Sequence, residues 1–259
     1  MEIWFLPLLM TLLIGVLCPA AGTLLVTQRR ELQANLISHA VLPGLAVAVA
    51  FGIDPAIGGV VSGLLGSLLA ERLQRGRIAN HDAVVNTVLA GFLGLGVLLI
   101  PLLNLRLDLD ALLFGDLLTV TWWDLARVLV AASALGALVM GRYSQLVYLG
   151  VDSEGAAASG LPVRVLRLAM ALVTALVIVS AMAAVGVILV IGLLCAPVLP
   201  GLRRASSLRA AICAASLVGL ALSAGGFLLA IPLNLPPGPL IGVACLLLLC
   251  VPGMRGERT

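Results

Sequence analysis

The sequence predicts an all-α, polytopic membrane protein with about eight or nine transmembrane helices and one short cytoplasmic helix between two of them. Three observations carry that prediction. Of 259 residues, 62% are hydrophobic and 10% charged, with a mean hydropathy of +1.21, whereas a soluble domain averages about half apolar and a quarter charged. The apolar residues fall into runs of roughly the 20 residues that a bilayer core requires. All fifteen basic residues are arginine, gathered between alternate runs. The spans absorb the chain, so residues 1–259 read as a single domain with nothing left for a soluble one.

Breaking the hydropathy at charged or Pro/Gly-rich points places spans near 3–26, 36–52, 55–70, 84–103, 123–140, 165–183, 184–200, 210–230 and 239–252. The first begins at Met-Glu-Ile-Trp, without the basic flank of a signal peptide, and is retained. Between the fourth and fifth, Asn104 to Trp122 is amphipathic and lies at the interface, with Trp122 and Trp123 as interfacial anchors. The stretch 165–200 is continuously apolar, so its turn is placed near 181–186 only by length.

Nine spans with the N-terminus outside put Arg29, Arg30, Arg72, Arg75, Arg77, Arg142, Arg164, Arg167, Arg203, Arg204, Arg209, Arg255 and Arg258 on the cytoplasmic side. Only Arg106 and Arg127 fall elsewhere, and the outer segments hold Glu2, Asp54, Asp108, Asp110, Asp116 and Asp124. This is the positive-inside distribution. It predicts an inner (plasma) membrane protein with its C-terminus in the cytoplasm.

Composition also excludes chemistry. With no lysine in the chain, neither a Walker A phosphate loop nor a Schiff-base site can be built, so any ATP that drives this protein is hydrolysed by another chain. No basic run suggests nucleic acid. Cys18, Cys195, Cys213, Cys245 and Cys250 lie in apolar runs, where cysteine behaves as a small hydrophobe, and Cys195, before Ala196-Pro197, reads as packing. Glycines on the third span (Gly58, Gly59, Gly63, Gly66) and the fourth (Gly91, Gly94, Gly96) read as close helix packing.

Polar side chains inside a membrane are costly and are candidate functional groups. The richest cluster is Asn35-Leu36-Ile37-Ser38-His39-Ala40-Val41-Leu42-Pro43-Gly44. Asn35 and His39 are i,i+4 and share a face, with Ser38 beside them; imidazole nitrogen plus oxygen donors suits a divalent metal in transit. Pro43 and Gly44 are expected to break the helix ladder and open a cavity next to His39. The alternative is a histidine bonded to a neighbouring helix. His81, in an arginine-rich loop, reads as inert. Arg127 reads as structural, paired with Asp124 or Asp116.

The connection 141–164 carries its own helix of two to three turns: Asp152 or Ser153 caps it, Glu154 favours its first turn, Ala156 to Ala158 propagate it, and Gly160 and Pro162 stop it. A small alanine face there suits docking into a cleft of a partner.

The Ile37-to-Gly44 segment, Leu113-Phe114-Gly115, the Asp152…Gly160 loop and Val185-Gly186-Val187-Ile188-Leu189-Val190…Leu194-Cys195-Ala196-Pro197 together resemble the permease subunits of bacterial zinc/manganese/iron ABC importers, most clearly over residues 5–200. The resemblance implies a second copy of the chain as partner and a cytoplasmic ATP-binding subunit docked on a coupling helix, with Asp152, Glu154, Ala157 and Gly160 at the contact. It also implies an extracytoplasmic metal-binding protein that delivers the ion. No covalently bound cofactor is implied: the transported ion is Mn²⁺ or Zn²⁺, with iron not separated from them, and ATP binds the partner. Family members carry an aspartate four residues before the histidine, where this chain has Asn35, so its site is expected to hold metal more weakly. A stand-alone secondary carrier is the alternative, but such carriers bury acidic residues, and every acidic residue here lies in a loop or at a span end. An intramembrane protease fits less well, because adjacent Ser38 and His39 point to different helix faces.

Overall fold

The computed structural model describes residues 2–74, 81–105, 115, 120–233 and 235–250. Arg75, Arg77, Arg106, Asp108, Asp110, Leu113, Phe114, Asp116, Arg255 and Arg258, and most of the interfacial stretch 104–122, lie outside them. The described chain is helical: α1 Glu2–Thr27, α2 Glu31–Ala50, α3 Pro55–Gln74, α4 His81–Leu102, α5 Trp122–Val151, α6 Ser153–Ala158, α7 Val163–Cys195, α8 Val198–Arg204, α9 Leu208–Leu233 and α10 Pro237–Cys250. Eight segments are long and apolar enough to cross a membrane, α7 with α8 supplying two of them; α10, with 14 residues, is shorter.

Four helices stop in the same way. After α1, α2, α4 and α6 one residue turns left-handed, at Arg29 (φ 55°), Gly52 (φ 68°), Asn104 (φ 51°) and Gly160 (φ 81°). At each, the following amide bonds a carbonyl five residues back, as from Arg30 N–H to the Leu25 carbonyl at 2.9 Å and from Leu161 N–H to the Ala156 carbonyl at 3.2 Å. These bonds satisfy carbonyls that the helix ends would otherwise leave without partners. Glycine suits the left-handed position best and asparagine is tolerated; arginine at 29 is the exception.

At α7 the chain reverses. Gly186 has φ 78° and ψ 163°, inside a helix otherwise continuous to Cys195. The Ser180 hydroxyl, just before it, donates to the Arg127 carbonyl at 3.4 Å. Leu194, eight residues after it, lies with its carbonyl against Gly22, near the opposite end of the molecule. A straight helix would carry Leu194 about 20 Å beyond Ser180 in the same direction. The expected turn near 181–186 is therefore found at Gly186, a conformation that only glycine adopts readily. Gly115 packs on the Val185–Gly186 backbone with no room for a Cβ.

Packing is by backbone as much as by side chain. Lipid tails are as apolar as leucine, so helices in a membrane associate through close fit rather than through the hydrophobic effect. Gly15 of α1 meets Gly219 and Ser223 of α9, Gly22 meets Leu194, and Gly44 of α2 meets Gly58 of α3, each at a distance that a Cβ would close. Gly91 and Gly94, expected to pack like their neighbours, face open space instead, while Gly96 covers Leu42 and Pro43. The largest buried side chains, among them Phe227, Met10, Ile14, Leu36, Leu146 and Ile241, come from α1, α2, α5, α7, α9 and α10. α2 packs most extensively on α3 and α4.

The acidic end is clamped. Asp54 accepts from the Ala56 amide at 2.8 Å, capping α3 ahead of Pro55, and pairs with Arg127 of α5 at 2.7 Å. Arg127 also reaches Asp124 at 3.0 Å. Asp124 was the expected partner, Asp116 lies outside the described residues, and Asp54 was not foreseen. Thr121 and Asp124 form a reciprocal capping box at the start of α5. Trp122 and Trp123 are 67% and 77% exposed.

Candidate functional site

α2 carries the Asn35, Ser38 and His39 cluster into the apolar bundle. It begins without a side-chain cap at Arg30, carries Glu31 in its first turn, and is helical throughout. Asn35 and His39 are half-buried one turn apart on a common side. Among the described residues neither side chain has a hydrogen bond or an ion pair, which removes the bland reading of a histidine bonded to a neighbouring helix within this chain. Ser38 is different. It is fully buried, and its hydroxyl donates to the Ala34 carbonyl at 2.9 Å. The structure thus brings Asn35 and His39 together and turns Ser38 toward the packed side of the helix.

Pro43 and Gly44 do not break α2. The helix runs on to Ala50, Gly44 presses against Gly58, and Pro43 lies under Gly96 of α4. The pair is a packing device: a ring without an N–H and a residue without a Cβ let α3 and α4 close on α2 from two sides. The expected break at Pro43 and Gly44 is therefore absent, and at these two residues the helices are in contact. Glu31, which sequence reasoning left out of the cluster, stands four residues before Asn35 and is exposed. The spacing 31, 35, 39 was readable as a single stripe about 12 Å long, with a carboxylate at the arginine-rich end and an imidazole deeper in.

Among the described residues no group of three His, Cys, Asp or Glu is placed to hold a metal ion. Asn35 and His39 supply one amide oxygen and one ring nitrogen. That pair fits an ion which keeps most of its water, or which takes further ligands from outside this chain, and it does not fit a closed structural metal site.

The second candidate region is the connection after α5. The fifth span was expected to end near 140, with a loop from 141. Instead α5 continues to Val151, bending at Arg142, whose φ of −127° and ψ of 21° are not helical. Below the bend, Tyr143 stacks on the Arg209 guanidinium at 4.5 Å and its hydroxyl accepts from the Arg209 amide at 3.4 Å, tying this segment to the start of α9. α6 follows at once. Asp152 caps it, accepting from the amides of Glu154 at 3.1 Å and Gly155 at 2.8 Å, and Gly160 ends it. At six residues it is shorter than the two to three turns expected. Ala156 is fully buried against the core, so the three alanines do not form one outward face. Asp152, Glu154, Ala157 and Gly160 are exposed.

A model of the ABC 3 transport family matches residues 1–255. The chain belongs to that family. Among its relatives, the manganese import system permease protein ScaB of Streptococcus gordonii is 30% identical over 94% of this chain and 88% of its own length. The chelated iron transport system membrane protein YfeD of Yersinia pestis is 31% identical over 88% and 76%. The solved structure of PsaBC from Streptococcus pneumoniae in complex with Fab superposes with a TM-score of 0.87 at 28% identity, covering 97% of this chain and 91% of that one. In this ABC 3 family member, then, the α2 stripe and the exposed α6 lie in a fold shared over nearly its full length with a solved relative. The chain is a transport component of the membrane.

Proposed function

We propose that the chain is the permease of an ATP-driven importer of a divalent transition metal ion, working as one transmembrane domain. The observation that carries this reading is similarity along almost the whole chain to permeases named for manganese and iron transport. The ion, Mn²⁺ or Zn²⁺ by the chemistry of the α2 pair and iron by the second relative, passes Asn35 and His39. Ser38 packs inside the bundle rather than touching the ion, since its side chain is fully buried. A pair that supplies two ligands favours a second copy of the chain as the source of others, and a weak site suits transport, which needs release as well as binding.

A separate cytoplasmic subunit binds and hydrolyses ATP, docking on Asp152, Glu154, Ala157 and Gly160 of the α6 region, and a metal-binding protein outside delivers the ion. The arginine distribution orients the N-terminus outside and the C-terminus inside the inner membrane.

The test is whole-cell metal quantification under limitation for manganese, zinc and iron in turn, with and without the chain. Accumulation of one ion that requires both this chain and an ATPase partner is the expected result. His39→Ala should lower that accumulation while membrane insertion is retained; wild-type accumulation would return His39 to packing. Asn35→Asp should tighten binding, by more for Mn²⁺ than for Zn²⁺, because the harder ion gains more from a charged oxygen.

A further inference from the structure

At the arginine-rich end of the α2 stripe lies a cavity of about 570 Å³, bounded by the α1–α2 turn, the start of α2, the end of α3 and the start of α4. Glu31, Glu71 and Asp82 line it, and so do Arg29, Arg30 and Arg167. Charges of both signs meet here, so the pairing decides which are left over. Arg30 is held by Glu71 at 2.9 Å and by Gln33 at 2.8 Å. Arg167 has a partner of its own. Glu31 and Asp82 have neither a hydrogen bond nor an ion pair among the described residues, and exposed Arg29 is set against the two of them. The buried carboxamide oxygen of Gln28, another lining residue, has no donor either. Even with arginines so near, this wall is left with acceptors to satisfy, and a cation satisfies acceptors.

Glu31 is also singled out by position. It stands one turn before Asn35 and two before His39, on the side of α2 that carries both. It lines the cavity, whereas Asn35 and His39 do not. Each step along the stripe rises about 6 Å, a short passage for a hydrated ion. Asn35 gives the ion a neutral oxygen, so the carboxylate of the stripe is Glu31. A carboxylate in the first turn also suits the helix dipole, but that role acts on stability and leaves metal affinity alone.

We propose that Glu31 is the third residue of the ion's route: it takes the divalent ion one turn beyond Asn35, at the opening of this cavity, and supplies the charge that the Asn35–His39 pair lacks. Carboxylate oxygen is the donor that a hard divalent ion prefers. One carboxylate with water holds such an ion loosely, which suits a point of release and agrees with the absence of a three-ligand group among the described residues.

The probe is Mn²⁺, titrated into the purified full-length chain and followed by the electron paramagnetic resonance signal of the free ion. Glu31→Gln keeps the shape of the side chain and removes its charge; it should weaken Mn²⁺ binding about tenfold, whereas Glu31→Asp should retain most of it. Asp82→Asn removes the same charge from the α4 side of the cavity and should weaken binding less than Glu31→Gln does. His39→Ala separates this assignment from the reading of α2 as the ion's path, on which it rests. Weakening by His39→Ala with none by Glu31→Gln overturns the assignment and keeps the path. No effect of His39→Ala overturns the path, and with it the place of Glu31 on that path. Equal weakening by Glu31→Gln and Asp82→Asn would trace the effect to the field of the whole cavity, and equal loss in Glu31→Asp and Glu31→Gln would make shape rather than charge the cause. Either result overturns the proposal, as does a lack of Mn²⁺ binding by the unaltered chain. Both Glu31 variants change an exposed side chain without a hydrogen bond or ion pair among the described residues, so the fold is not at stake.

Discussion

At the scale of single residues, the molecule separates side chains that hold the fold from side chains that are offered outward. Ser38 and Asn35 are three positions apart and equally polar, yet one is bonded into its own helix and the other has no partner among the described residues. Sequence spacing could pair Asn35 with His39 by the i,i+4 rule, but it could not say that Ser38 is fully buried, because that depends on how the other helices close over α2. Arg29 is the sharper case. Nothing in its neighbours marked it as left-handed; the sequence signal for such an end is glycine or asparagine, present at Gly52, Asn104 and Gly160 and absent here. Arg29→Gly should therefore raise stability, by about 0.5–1 kcal/mol once glycine's entropy is set against the relieved strain. Thermal unfolding in detergent measures this, and an unchanged or lowered midpoint would mean that the Arg29 side chain contributes more than its backbone costs.

At the scale of elements, the span boundaries were legible because charge and Pro/Gly breaks end apolar runs, and the α6 cap was legible because aspartate followed by glutamate, small residues and glycine has few other uses. The continuation of α5 past Arg142 was not. Gly141-Arg142 looks like an exit from the membrane, and what keeps the segment helical is a long-range contact, Tyr143 on Arg209, that no local pattern announces. Asp152→Ala should cost α6 about 1 kcal/mol of capping and, if α6 is the proposed docking helix, weaken capture of the ATPase partner; undiminished capture would count against docking at α6. Glycines make a second, sharper test. Gly44→Ala or Gly58→Ala must push α2 and α3 apart and should cost about 1–3 kcal/mol, whereas Gly91→Ala and Gly94→Ala, in open space, should be neutral or stabilise α4 by up to about 1 kcal/mol. Melting curves of the four variants would show whether seams or mere composition explain the abundance of glycine.

At the scale of the whole molecule, orientation rests on arginine and is directly measurable. Cysteines placed at Trp122 and at Ser153 should react with an impermeant thiol reagent from opposite sides of the membrane, the former from outside; labelling from one side would remove a span from the map. The reversal at Gly186 sets the parity of every later helix, and sequence could locate it only within a few residues because both limbs are uniformly apolar.

One further consequence follows from α5. About 45 Å of nearly continuous helix joins the Asp54–Arg127 bridge at one surface to the Asp152 cap at the other, with a single joint at Arg142. If α6 takes a push from a partner, as proposed, a rod jointed once would act as a crank, turning or swinging its upper shaft from Arg142, and its far tip is pinned to the α2–α3 corner by an ion pair that is more than a third exposed on both sides. That pair is a fastening that salt can loosen, so the ease with which the crank turns should depend on ionic strength at that surface.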